Sequence, residues 1–179
     1  MVEENEHADK EGSPNLINRD AVRKRQAARG FICKRLSEKQ SLKNFVTKLA
    51  NGYATQKITN VAAPEAMGFA LAGAAAERLQ CGLILITKWA PEDREGYDSQ
   101  SFVDYSGLTK TLYLRKDTVR GGDLVLVIDD YVESGAQIRA IYALLTAAEA
   151  TVVGVACHGK STDANRDGLP SISSFSSNS

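Results

Sequence analysis

Asp129 and Asp130 stand side by side at the end of a wholly apolar run, Leu124 to Ile128, with Ser134-Gly135 shortly after them. Carboxylates at the tip of a buried strand are desolvated on one side and repel each other. A cation or a hydroxyl-bearing ligand is needed to make such a pair favourable. The next residues, Glu133, Ser134, Gly135, Ala136 and Gln137, lead into a helix start, where free N–H groups and the helix dipole favour an anion. Gly135 lets the backbone close round that anion, and Ser134 adds a hydroxyl donor. Carboxylates for sugar hydroxyls beside an N–H cradle for phosphate describe a sugar-phosphate site. An Asp-Asp helix cap without a ligand uses the same spacing and stays open on these residues alone.

Positioning such a site requires a sheet edge, and the chain is patterned to build one. "KITNVAA", "LILITK", "LVLVI" and "TVVGVACH" read as continuously apolar strands. They alternate with helical patterns, including the alanine-rich segment from about Glu65 to near Gly82 and "AQIRAIYALLTAAE". That order predicts an α/β fold with a parallel β-sheet flanked by helices on both faces. Ligands of such sheets bind at the carboxyl ends of the strands, where Asp129 and Asp130 lie. "FVDYS" and "TKTLYLRK" predict an antiparallel excursion after an acidic loop, a flexible flap over the site. Further upstream, a helix is expected from Ser13-Pro14 to Gly30, "FICKRLS" as a connector, and a second helix from Ser41 to Asn51-Gly52. Residues 1–13 are expected to be disordered, 14–160 to form one domain, and 161–179 to be a serine-rich tail.

Bulk properties bound the function. The 179 residues carry 22 basic and 22 acidic side chains, which argues against nucleic acid or an anionic membrane as partner. Cys33, Cys81 and Cys157 are scattered and odd in number, unlike a disulfide framework or a thiolate metal site. With no apolar signal core and no spanning run, the expectation is a cytoplasmic protein. Several motifs read as bland. "GVACHGKS" matches the Walker A pattern, but its first glycine lies inside an apolar strand and no helix follows. His7 and His158 lack partners at ligand spacing. Arg23-Lys24-Arg25 reads as a solvated helix face, and Trp89, Tyr97 and Tyr105 as packing residues. Asp129 as a phosphotransferase nucleophile is disfavoured, since Tyr131 interrupts the acidic spacing that chemistry uses.

"VLVIDDYVESGAQ" resembles the phosphoribosyl pyrophosphate (PRPP) motif of type I phosphoribosyltransferases. Further segments are similar to the adenine-using branch of that family: "GFICKRLS", "AAPEAMGFALAGAAAERL", "LILITK", "SFVDYSG" and "RKDTVRGGDLVLVIDD". The resemblance runs from about residue 30 to 158 and implies transfer of phosphoribose from PRPP to adenine, giving AMP and pyrophosphate in purine salvage. By position it implies that Asp129 and Asp130 hold the ribose hydroxyls and the associated Mg2+, that Glu133, Ser134, Gly135, Ala136 and Gln137 hold the 5′-phosphate, and that Lys88 neutralises pyrophosphate. It implies that Ile32, Cys33 and Lys34 bind the base, that Asp104 handles a purine proton, and that the protein is a homodimer.

The chain departs from the family pattern at several of these positions. Cys33 stands where the family stacks a Phe on adenine, and Arg35 where it has an Asp. Ala66-Met67 replaces a Ser-Arg pair, removing a pyrophosphate-binding guanidinium. The usually basic stretch after Lys88 carries Glu92, Asp93 and Glu95, and Ala136 and Gln137 replace Gly and Thr. Two alternatives follow. One is a weakly active or inactive PRPP- or nucleotide-binding paralogue acting as regulator or partner subunit. The other is a 6-oxopurine enzyme in which Glu133 acts near the base as the proton handler, set against the plainer reading of Glu133 as a solvated first-turn Glu favoured by the helix dipole.

Overall fold

The structure, a computed structural model, describes residues 19–162 and 168–175. The expectations for residues 1–13 and for a Ser13-Pro14 cap lie outside them. Two N-terminal helices, α1 (Arg19–Ser37) and α2 (Lys39–Tyr53), precede β1 (Asn60–Pro64) and α3 (Met67–Leu79). Then come β2 (Gly82–Thr87), β3 (Tyr97–Val103), β4 (Thr109–Arg115) and β5 (Leu124–Val132). Helix α4 (Ala136–Ala147), β6 (Thr151–Lys160) and β7 (Ile172–Ser174) complete the chain.

The strands form one sheet in the order β3-β4-β2-β1-β5-β6-β7. β2, β1, β5, β6 and β7 run parallel, while β4 joins β2 antiparallel and β3 joins β4 antiparallel. The expected α/β fold with an antiparallel excursion is therefore present. Alternation along the central strands divides the core between two faces. Val125 and Val127 pack with Ile84, Leu112, Ile138 and Ile141 beneath α4. Leu126 and Ile128 pack with Phe45, Leu49, Leu71 and Ala75 beneath α2 and α3.

Three expectations are corrected. "FICKRLS" is no connector: α1 passes through Gly30 without a break, and the segment is helical up to Ser37. Within the expected tail, Ile172–Ser174 adds a seventh strand, because Ile172 buries itself beside Val155. β5 also continues through both aspartates to Val132, since β6 runs alongside and pairs Asp129 with Cys157, Tyr131 with Gly159 and Val132 with Lys160. β6 likewise is one unbroken strand through "GVACHGK", so no phosphate loop exists there.

Candidate active site

Because Asp129 and Asp130 are consecutive strand residues, their side chains leave opposite faces of the sheet, and each finds a different partner. Asp129 faces α4, where Gln137 donates from Nε2 to its Oδ2 at 2.8 Å; its Oδ1 accepts the backbone N–H of Asp130, also at 2.8 Å. Asp130 faces α1, where Arg25 donates from Nη2 to its Oδ1 at 2.7 Å. Arg29 Nε lies 3.7 Å from the other oxygen of Asp130. Burial, and then the charge of Asp130, push the Asp129 carboxyl well above the usual carboxylate range. Burial also works to raise Asp130, but its hydrogen bond with Asp129 and the Arg25 guanidinium hold it below the ordinary value. The like-charge pair is thus resolved by splitting it between two environments.

After β5 the chain turns at Ser134-Gly135. Gly135 has φ 80°, a left-handed conformation that an L side chain adopts only with strain, and it starts α4. Ser134 Oγ accepts the N–H of Ala136 at 3.4 Å, and the Gly135 carbonyl accepts the N–H of Arg139 at 2.9 Å, closing the first helical turn.

A cavity of about 300 Å³ opens over this turn. Of the expected site residues, Lys88, Asp104, Asp129, Glu133, Ser134, Gly135 and Gln137 line it. Asp130 and Ala136 do not, although Arg25, the partner of Asp130, does. Ile32, Cys33 and Lys34 are not brought to it: helical geometry buries Ile32 in the protein and leaves Cys33 and Lys34 exposed, with Cys33 Sγ 4.0 Å from Met67 Sδ. Arg25 departs from the solvated face expected of it, its side chain being only 6% exposed.

Further lining residues escaped the sequence, Glu65, Arg29, Phe102 and Tyr131 among them. Glu65, at the end of β1, accepts the backbone N–H of Lys88 on its Oε2 at 2.8 Å. Arg29 enters from α1, and Phe102 and Tyr131 supply ring surface. The Glu65 position had a signal, an acid directly after a buried parallel strand. The arginines had none, since only the docking of α1 on β5 distinguishes them from surface basic residues.

Asp104 is committed to its own turn. Its Oδ1 accepts Ser106 N at 2.8 Å, Ser106 Oγ at 2.5 Å and Leu108 N at 3.2 Å, while Lys110 pairs with Oδ2. Desolvation opposes the effect, yet these partners hold the Asp104 carboxyl below the usual range. Lys88 is shifted the other way: desolvation lowers its ammonium, opposed by Asp129 and reinforced by Lys110 and Arg29.

A magnesium ion can be tested against this donor set. Among the described residues no cluster of three or more His, Cys, Asp or Glu side chains could cage a metal. Asp129 nevertheless presents a carboxylate to the cavity, whereas Asp130 does not line it and turns its two oxygens to Arg25 and Arg29. A single cavity-facing carboxylate fits a magnesium that arrives on a polyphosphate and keeps its other oxygen ligands, not one held by protein alone.

A sheet of this order, with paired acids and a glycine turn at the carboxyl end of a central strand, is the arrangement that the resemblance to phosphoribosyltransferases implies. The chain belongs to the phosphoribosyl transferase domain family, whose model matches residues 34–170. Among characterised relatives it is similar to the adenine phosphoribosyltransferase of Brachyspira hyodysenteriae, 29% identical over 119 residues, covering 66% of this chain and 69% of that one. With the adenine phosphoribosyltransferase of Methylobacterium radiotolerans it shares 34% identity over 118 residues, covering 66% and 64%. The crystal structure of the adenine phosphoribosyltransferase from Rhodothermus marinus superposes with a TM-score of 0.71 at 27% identity, covering 79% of this chain and 81% of that one.

Proposed function

We propose that the protein transfers phosphoribose from PRPP to adenine, forming AMP and pyrophosphate in purine salvage. The observation that carries this reading is the single cavity in which Asp129, the Ser134-Gly135 turn, Gln137 and Lys88 converge. The ribose hydroxyls lie against Asp129, and the 5′-phosphate lies in the cradle of residues 133–137. In the reaction the bond from C1 to the diphosphate oxygen breaks, a bond from C1 to a purine nitrogen forms, and the base gives up a proton. The transition state has oxocarbenium character, so the leaving diphosphate must be neutralised. Lys88 does so from the protein, while Asp129 would hold the substrate's magnesium, which adds positive charge at the diphosphate.

For the departing proton Glu133 is better suited than Asp104. Glu133 lines the cavity, whereas the hydrogen bonds of Asp104 satisfy its carboxylate and weaken it as a base. The same placement of Glu133 favours a second reading, use of a 6-oxopurine, in which this carboxylate meets the base near N7. AMP formation from adenine, PRPP and magnesium tests the main reading. Absence of turnover with PRPP still binding supports the non-catalytic paralogue instead.

The protein is further proposed to be a cytoplasmic homodimer. No helix among the described residues is long and apolar enough to cross a membrane. Leu83 and Leu85 are 40% and 45% exposed on β2, an apolar strip next to α3 that a second copy would cover. A monomer mass by light scattering at working concentration refutes the dimer.

A further inference from the structure

We propose that Arg29 of α1 binds the diphosphate of PRPP and the pyrophosphate it releases, taking the place of the guanidinium that Met67 does not provide. The inference rests on the phosphoribosyltransferase reading and adds to it a residue outside the segments that resemble the family. The turn between β1 and α3 brings Glu65 and Ala66 to the cavity, and neither is a cation. Met67 turns away and meets Cys33. The cations that line the cavity are Lys88, Lys110, Arg25 and Arg29; Lys110 is held closely by Asp104 and Arg25 by Asp130, whereas Arg29 only approaches Asp130, at 3.7 Å.

Arg29 is placed differently. It lies one helical turn beyond Arg25 on the same face of α1, so the ion pair of Arg25 with Asp130 fixes where Arg29 sits. Its side chain is 43% exposed, which keeps the guanidinium at the mouth, and its Nε is buried without a hydrogen bond. Arg25 Nη1, on a side chain only 6% exposed, is likewise buried and unpartnered. Arg29 Nε has only a loose ion pair, 3.7 Å from Asp130 Oδ2, and Arg25 Nη1 has no hydrogen bond, so both cavity-lining arginines keep donor capacity for an anion with several oxygens. A diphosphate offers these, and the planar fork of arginine matches phosphate oxygens in bidentate fashion. Glu65, Asp104, Asp129 and Glu133 also line the cavity, so a bare anion is opposed there unless cations such as Arg29 and Lys88 face it.

The test is calorimetric titration of inorganic pyrophosphate, PRPP and ribose 5-phosphate, each with magnesium, into the full chain and into Arg29→Ala and Arg29→Lys. In Arg29→Ala, pyrophosphate and PRPP are expected to weaken by about tenfold to a hundredfold, the effect of losing a hydrogen bond to a charged group. Ribose 5-phosphate, which lacks the diphosphate, binds as before and also shows that the variant is folded. Arg29→Lys restores part of the loss by returning the charge without the fork. A loss on pyrophosphate smaller than about threefold, or an equal loss on ribose 5-phosphate, overturns the proposal. Wild-type protein that binds ribose 5-phosphate but not pyrophosphate overturns this proposal alone. Protein that binds none of the three overturns the phosphoribosyltransferase reading beneath it.

Discussion

The ring of Tyr131 on β5 fills the space that a side chain at Gly159 on β6 would need: a Cβ there would lie 2.9 Å from Tyr131 Cδ2 and Cε2. The two residues are register partners in the parallel ladder, so the glycine sets the position of the ring, which lines the cavity and carries the Arg25 guanidinium 5.2 Å from its centroid. Gly159→Ala is expected to push the ring aside and loosen Arg25 from Asp130. The expected result is a roughly tenfold loss of PRPP affinity, with the protein still folding cooperatively. Titration of PRPP and a thermal melt check both halves.

Asp129 is expected to trade stability for binding. Its buried carboxyl is held against Asp130 at the cost of an elevated pKa, so at neutral pH its charge is a burden on the free protein. Asp129→Asn keeps the shape, and Gln137 can reverse its amide to match. The variant is expected to melt at or above the wild-type temperature at pH 7 and to lose PRPP binding. A lower melting temperature with binding intact refutes this assignment.

How much of this was legible in the sequence depends on the range of the interactions. The apolar run Leu124–Ile128 and the Ser134-Gly135 turn are local signals, and the structure places both as the sequence implies. The continuation of β5 past the aspartates was hidden, because it depends on β6 running beside them. Gly30 reads as a helix stop. It is instead an exposed position where an added Cβ would meet nothing, and glycine there costs only about 1 kcal/mol relative to alanine. Once α1 runs on, Ile32 turns into the core and the base-binding expectation for 32–34 moves off the cavity. Arg25 and Arg29 differ from Arg23 in no local property. Only tertiary docking turns them inward.

His158 makes a pH prediction. It is buried between Phe45, whose ring stacks on it at 6.0 Å, and Phe31, which meets it edge-on at 6.5 Å. Desolvation first, then the nearby charge of Arg35, lower its pKa below the ordinary 6.5, with Asp130 opposing. The unfolded chain therefore binds the proton more readily. The neutral imidazole's contribution is fully present above about pH 6.5 and is lost as pH falls from there towards the folded-state value. His158→Gln is expected to flatten the dependence of melting temperature on pH below about pH 6.5. An unchanged slope means that other groups set it.

Base choice is where Tyr131 and Glu133 separate from Cys33. The family's stacking Phe corresponds to Cys33, which lies on the exposed side of α1 and does not line the cavity. A Phe at this position therefore has no base to stack on in this arrangement, and Cys33→Phe is expected to leave the KM for adenine unchanged. The ring surface that does line the cavity belongs to Phe102, Tyr105 and Tyr131, and of these Tyr131 adjoins the aspartates. Tyr131→Ala is expected to weaken adenine binding by about tenfold, the scale of losing an aromatic partner. Glu133→Ala is expected to lower kcat at unchanged KM for adenine, because a proton acceptor acts in the transition state and not in binding. Adenine, hypoxanthine, guanine, xanthine and orotate, each run with PRPP on the parent and the three variants, decide the matter. Preference for a 6-oxopurine that disappears in Glu133→Ala replaces adenine as the substrate, while adenine use that improves in Cys33→Phe moves the base back to α1.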